Sequence, residues 1–232
     1  MPATVMEVRP ETHRVSSIVF ECPGWDGHMA GQHVDIRLTA EDGYQAQRSY
    51  SIASAPDDDH LVLTIERLQD GEVSPYLVDV VAPGDQLEMR GPIGRFFVWE
   101  GEEPLLMIAG GSGVVPFRAM LRHRLAMGSP ARARLLYSSR TWEDVIYRDE
   151  LAEPGEGAEV VHTLTRSQPP GWDGYERRVD AEMLSEVGFP PTERPWVYIC
   201  GPTPFVESSA GTLVDLGHDP SMIRTERFGP TG

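Results

Sequence analysis

The densest chemistry in the chain is the run Gln47-Arg48-Ser49-Tyr50-Ser51-Ile52-Ala53-Ser54-Ala55-Pro56. Strand alternation puts Arg48 and Tyr50 on one face and Ser49 and Ser51 on the other. An arginine for a phosphate, an aromatic plane for stacking and a hydroxyl for a ring nitrogen are the parts that hold a flat ring linked to a nucleotide. An ordinary half-exposed strand would carry the same residue types. Downstream, Gly71-Glu72-Val73-Ser74-Pro75 is a Gly/Ser turn at the opening of a helix pattern, a second possible phosphate site.

A third constellation is Gly110-Gly111-Ser112-Gly113-Val114-Val115-Pro116, directly after the apolar run Leu105-Leu106-Met107-Ile108-Ala109. Glycines let a backbone approach a pyrophosphate, and the following helix start supplies free N–H groups. Proline suits the first helical turn, and it replaces the third glycine of the usual dinucleotide fingerprint. The alternative is a glycine-rich turn that binds nothing, but its strand-before, helix-after context favours a phosphate. The fourth is Cys200-Gly201-Pro202-Thr203-Pro204, again between an apolar strand and a helix. It sets a thiol at the carboxyl edge of a sheet, where open α/β folds bind ligands. A buried structural cysteine fits the same residues, and without a nearby histidine in sequence thiol catalysis is disfavoured.

The elements that must position these residues fall into two halves. Up to about residue 100, β-type runs at 14–21, 33–38, 47–52, 61–66 and 86–89 are separated by Pro23-Gly24, Asp42-Gly43, Pro56-Asp57 and Pro83-Gly84. With one short helix over 74–80, this spacing predicts an antiparallel β-barrel in residues 1–100. From 101 to 232 the pattern alternates. Strands are expected at 105–109, 134–137, 159–165, 196–200 and 223–228. Helices are expected over 143–151, 181–187 and 204–216, and along Phe117, Met120, Leu121 and Leu125. That order predicts a doubly wound five-stranded parallel sheet.

Composition narrows the function. Against 36 Asp and Glu stand 20 Lys and Arg, a formal charge of −16 over 232 residues. Such a balance disfavours binding to nucleic acid or to an anionic membrane face. Two cysteines are too few for the four thiolates of an ordinary iron–sulfur cluster. The histidines lack metal-ligand spacing, so no metal site is expected. No apolar run reaches the ~20 residues of a membrane-spanning helix, and the first residues lack a signal-peptide pattern. A cytoplasmic location is the expectation.

Taken in order, Arg-x-Tyr-Ser, Gly-x-x-Ser, Gly-Gly-x-Gly-x-x-Pro and Cys-Gly-Pro resemble the ferredoxin–NADP(+) reductase superfamily, over residues 32–232. Most similar are compact bacterial members that carry only a flavin and a nicotinamide domain. The resemblance implies FAD in the barrel and NADPH or NADH on the parallel sheet. Arg48 would contact the FAD pyrophosphate, Tyr50 would stack on the isoalloxazine, and Ser51 would lie near flavin N5. Gly71 and Ser74 would cap the pyrophosphate. Gly111, Gly113 and Pro116, with Gly201 and Pro202, would cradle the dinucleotide. Cys200 would lie near the transferring carbon, and Glu226 and Phe228 would approach the flavin. The plant-type pattern ends on a ring-shielding tyrosine, whereas this sequence runs on as Gly229-Pro230-Thr231-Gly232.

The implied activity is an FAD-dependent NAD(P)H oxidoreductase that passes electrons to a protein acceptor such as a ferredoxin or haem protein. A non-catalytic flavin-binding electron-transfer or regulatory subunit, and a flavin reductase that releases reduced flavin, are the alternatives. Coenzyme choice turns on the strand ends. No acidic residue follows Tyr137-Ser138-Ser139-Arg140 before Glu143, and the next strand ends Thr165-Arg166, with Arg177 and Arg178 beyond. Arginines there favour a 2′-phosphate, hence NADPH. Pairing of these arginines with Glu143, Asp144 or Asp173 is the competing reading. Arg9, Arg14, Arg37, Arg90 and Arg95 in the barrel half would offer a basic docking patch for an acidic partner.

Overall fold

In the first half, runs such as His33–Thr39 alternate apolar Val34, Ile36 and Leu38 with polar residues, and each run pairs with a neighbour to bury its apolar side chains. The computed structural model describes residues 1–229; the tail Pro230-Thr231-Gly232 lies outside the described residues. Strands β1 (Pro2–Thr12), β2 (Val15–Glu21), β3 (His33–Thr39), β4 (Gln45–Ser51), β5 (Leu61–Glu66) and β6 (Gln86–Ile93) form one antiparallel sheet. Its order is β4-β3-β6-β1-β2-β5. The two end strands meet through the bridge Ile52↔Leu63, which closes the sheet into a barrel. Val34, Ile36, Ile18, Phe20, Leu63 and Met89 fill it, and helix α1 (Ser74–Asp79) adds Leu77.

Strand β1 lies outside the runs that alternation picks out. Register shifts between Val5 and Glu7 and between Pro10 and Thr12 break its period-two pattern. The expected basic patch also dissolves. Arg9 pairs with Glu7, Arg14 with Glu66 and Arg37 with Glu88, which leaves Arg90 and Arg95.

The second unit comprises Glu100–Phe117 and the residues from Arg124 on, while Arg118–His123 cluster with the first ninety-nine residues. Strands β7 (Leu105–Gly110), β8 (Ala133–Ser139), β9 (Ala158–Leu164), β10 (Trp196–Pro202) and β11 (Ile223–Phe228) are all parallel, in the order β11-β10-β7-β8-β9. Every residue of β7 is buried, as a central strand covered on both faces requires. Leu106 and Ile108 face α4 (Ala181–Val187) and α5 (Thr203–Asp215), where Met183, Leu184, Val206 and Leu213 meet them.

Three local expectations are corrected. In α2 (Val115–Ala126) Phe117, Met120 and Leu121 are buried, but Leu125 is exposed. The helix expected over 143–151 is a short 3-10 turn at Trp142–Asp144 followed by α3 (Arg148–Ala152). Tyr147 separates them in the left-handed region at φ 59°, which no helix interior tolerates. Ahead of α2, Gly111–Val114 are wound as a 3-10 turn, with Gly111 at φ +57°. No helix among the described residues is long and apolar enough to cross a membrane.

Candidate functional site

In the barrel, β4 pairs antiparallel with β3, so that Arg48 sits opposite Ile36 and Tyr50 opposite Val34. Both partners belong to the core. The Tyr50 ring packs on that core and is half-buried, and burial pushes its phenol well above the ordinary value. The two serines of the motif part company. Ser49 donates to Asp35 Oδ1 at 2.6 Å, and Gln47 Nε2 donates to Asp35 Oδ2 at 2.9 Å. Ser51, half-buried at the strand end opposite His33, makes no side-chain hydrogen bond among the described residues. Of the two hydroxyls, only that of Ser51 is uncommitted.

Arg48 is brought to the turn before α1. Its Nη2 donates to Glu72 Oε2 at 2.8 Å, and its Nη1 to the Gln47 carbonyl at 2.7 Å. The Tyr44 hydroxyl donates to Glu72 Oε1 at 2.7 Å. The Ser74 hydroxyl is placed at the same turn. It is buried and accepts from the Leu68 N–H at 3.0 Å, which closes the 68–74 turn. A Cβ on Gly71 would stand 2.8 Å from that Oγ, so glycine is what lets the turn close. Tyr44 and Glu72 escaped sequence reasoning. The signal was present, since Glu72 lies inside the Gly-x-x-Ser motif, but its pairing with a residue 24 positions away was not.

In the second unit the order β11-β10-β7-β8-β9 reverses direction between β10 and β7. A crevice outside the carboxyl ends of strands at such a reversal is where open α/β sheets take ligands. Here the two strand ends are lined by glycine. A Cβ on Gly201 would lie 3.3 Å from the Gly110 Cα, and one on Gly113 would overlap the Cys200 carbonyl oxygen at 2.1 Å. Gly113 and Pro116 are buried and shape the turn, whereas Gly111 and Ser112 are half-exposed. Nothing lies within 4 Å of where a Gly111 Cβ would be. An open backbone cradle of this form fits a pyrophosphate.

Beside the crevice, β10 and β11 pair so that Cys200 faces Glu226 and Pro202 faces Phe228. Burial raises the Cys200 thiol well above its ordinary value, with the Glu226 charge adding to it. Burial also pushes the second thiol, Cys22, up to about 11. Both cysteines therefore stay protonated at neutral pH, which removes thiolate chemistry. The Glu226 carboxyl is raised by burial to about 7 and can hold a proton under the conditions of a cell. Phe228 is half-buried at the strand end.

At the other side of the sheet, the ends of β8 and β9 lie together. Thr165 Oγ1 donates to the Ser139 carbonyl at 3.2 Å, and the Arg166 N–H to the Arg140 carbonyl at 2.9 Å. Two exposed arginines thus stand side by side, and neither guanidinium has a partner among the described residues. Neither pairs with Glu143, Asp144 or Asp173. Arg177 is engaged by Asp180 at 2.6 Å and Glu182 at 2.8 Å.

Comparison with known proteins follows the same division. Residues 2–98 match the family model described as oxidoreductase FAD-binding domain, and residues 107–210 that described as oxidoreductase NAD-binding domain. Ferredoxin–NADP reductase B of Sorangium cellulosum is 37% identical over 210 residues, which cover 86% of this chain and 85% of that protein. The reductase component of propane 2-monooxygenase from Mycolicibacterium goodii is 31% identical over 221 residues, covering 90% of this chain and 62% of that one. Several other curated relatives are also longer, and the chain spans 51% to 64% of their length. Among solved structures, the flavohem-like FAD/NAD-binding domain of nitric oxide dioxygenase from Vibrio cholerae superposes with a TM-score of 0.87 at 28% identity. That match covers 99% of this chain and 98% of that one.

Proposed function

The chain belongs to the ferredoxin–NADP(+) reductase superfamily of FAD- and NAD(P)H-using oxidoreductases, and from that premise we propose that it takes hydride from NADPH and delivers electrons to a separate redox protein. The observation that carries the reading is the division of labour on β4. A cation, a core-backed aromatic ring and an uncommitted hydroxyl follow one another at Arg48, Tyr50 and Ser51. FAD, when bound, supplies the exchange between hydride and single electrons.

The chain's own residues do the rest. Arg48 neutralises phosphate charge, and Tyr50 offers a ring fixed by core packing. Ser51 directs a hydroxyl that no protein group claims. On the parallel sheet the glycine-lined crevice admits a pyrophosphate close to the backbone. Arg140 and Arg166 meet the 2′-phosphate that distinguishes NADPH from NADH, through charge-assisted N–H donors. Cys200 stays neutral, and Glu226, raised to about 7, can hold or release a proton beside it.

The electrons go to a one-electron acceptor, an iron–sulfur or haem protein, since two cysteines fall short of the four thiolates of an ordinary cluster. A cytoplasmic location is part of this proposal, in keeping with the use of NADPH. The test compares two variants by stopped-flow reduction and flavin dissociation. Ser51→Ala should slow flavin reduction by about 10- to 100-fold while FAD retention holds. Arg48→Ala should weaken FAD by about tenfold or more, since it deletes a charge-assisted contact. Equal effects of the two variants on both measurements would overturn the assignment.

A further inference from the structure

The arginine assigned to the flavin phosphates already holds an anion. Glu72 Oε2 lies 2.8 Å from Arg48 Nη2, and the Tyr44 hydroxyl fixes the other carboxylate oxygen from 2.7 Å. The remaining Arg48 terminal nitrogen, Nη1, is turned to the Gln47 carbonyl at 2.7 Å. The contact ties three separate pieces together: the residue before β4, β4 itself and the turn leading into α1. Tyr44, Arg48 and Glu72 are all exposed, so an incoming ligand can reach the pair.

We propose that Glu72 is an internal counter-ion which occupies the phosphate position on Arg48 and must be displaced or shared when a phosphorylated flavin binds. Glu72 is thereby a determinant of how tightly the chain retains FAD. The inference rests on the reading of Arg48 as the flavin-phosphate ligand. Its physics is competition. A phosphate that takes Arg48 first breaks an ion pair and then stands beside a carboxylate of like charge, and both terms oppose binding. Neither touches a flavin without phosphate. The tyrosine matters because it holds the carboxylate in place instead of leaving it to swing into solvent. Glutamine at position 72 keeps the size and the acceptor for Tyr44 while removing the charge.

The full chain, freed of its flavin, is titrated with FAD, FMN and riboflavin by fluorescence quenching, as wild type, Glu72→Gln, Arg48→Ala and the double variant. Glu72→Gln should tighten FMN and FAD by about three- to tenfold at low ionic strength. Riboflavin should be unchanged, and the gain should shrink in about 0.5 M salt as screening shortens the repulsion. In the Arg48→Ala background the gain should fall, because no ion pair remains to be broken. An unchanged or weakened FMN affinity in Glu72→Gln, or an equal gain for riboflavin, overturns the proposal while a strong Arg48→Ala effect leaves the phosphate reading intact. If Arg48→Ala alters FMN no more than riboflavin, the phosphate reading fails and the counter-ion role fails with it.

Discussion

Replacing Glu226 by glutamine should change how stability depends on pH. Glu226 lies on β11 opposite Cys200 of β10, and burial raises its carboxyl from 4.5 to about 7. In the unfolded chain it titrates near 4.3, the ordinary value for glutamate. Between these two values the native state keeps a proton that the unfolded chain has released. The difference in bound protons, unfolded minus native, is then close to −1, so stability falls as pH rises, by about 1.4 kcal/mol per pH unit. Glu226 thus contributes fully below about pH 4.5, and its contribution is lost as pH rises through about 7. The whole loss approaches roughly 3.5 kcal/mol, and partial solvation of a half-buried carboxyl lowers that ceiling. Glutamine carries no charge at any pH, and the other carboxylates titrate alike in both proteins. Urea unfolding followed by tryptophan fluorescence, from about pH 5.5 to 8.5, should show Glu226→Gln gaining on wild type by about 1–3 kcal/mol. The gain should level off above about pH 7.5. A difference that does not vary with pH, or one that grows in favour of wild type as pH rises, would refute the reasoning.

Two further outcomes are expected. Arg166→Ala should lower kcat/KM for NADPH by about 10- to 100-fold and leave NADH within about twofold, because only the 2′-phosphate loses a charge-assisted donor; a wild-type preference for NADH would sink this assignment. Gly113→Ala forces a Cβ to within 2.1 Å of the Cys200 carbonyl oxygen. It should cost roughly 3 kcal/mol, or about 6–12 °C in Tm, with NADPH binding lost alongside, and an unchanged Tm would show that the backbone there yields.

What the sequence determined alone was whatever depends on near neighbours. The unbroken apolar run 105–109 announced a strand covered on both faces, and β7 is buried throughout. The 223–228 strand and 181–187 helix lie where their periodicity puts them. That Arg48, Tyr50 and Ser51 share one strand was legible because alternation is a property of consecutive residues.

Tertiary structure decided everything that joins distant residues or breaks a period. Bulges hid β1, and the left-handed Tyr147 split a helix that amphipathic spacing had drawn whole. The basic docking patch failed because carboxylates arrive from neighbouring strands, as Glu88 of β6 does beside Arg37 of β3. Ser49 and Ser51 are the same residue type two positions apart, yet Asp35 on the adjacent strand commits only one of them. Arg140 and Arg166 became neighbours through the pairing of β8 with β9, and Arg48 of β4 met Glu72 of the turn before α1. The physical reason is common to all of these. Local pattern sets which face of an element is apolar, whereas the partner of a charge or hydroxyl is set by which elements the fold lays side by side.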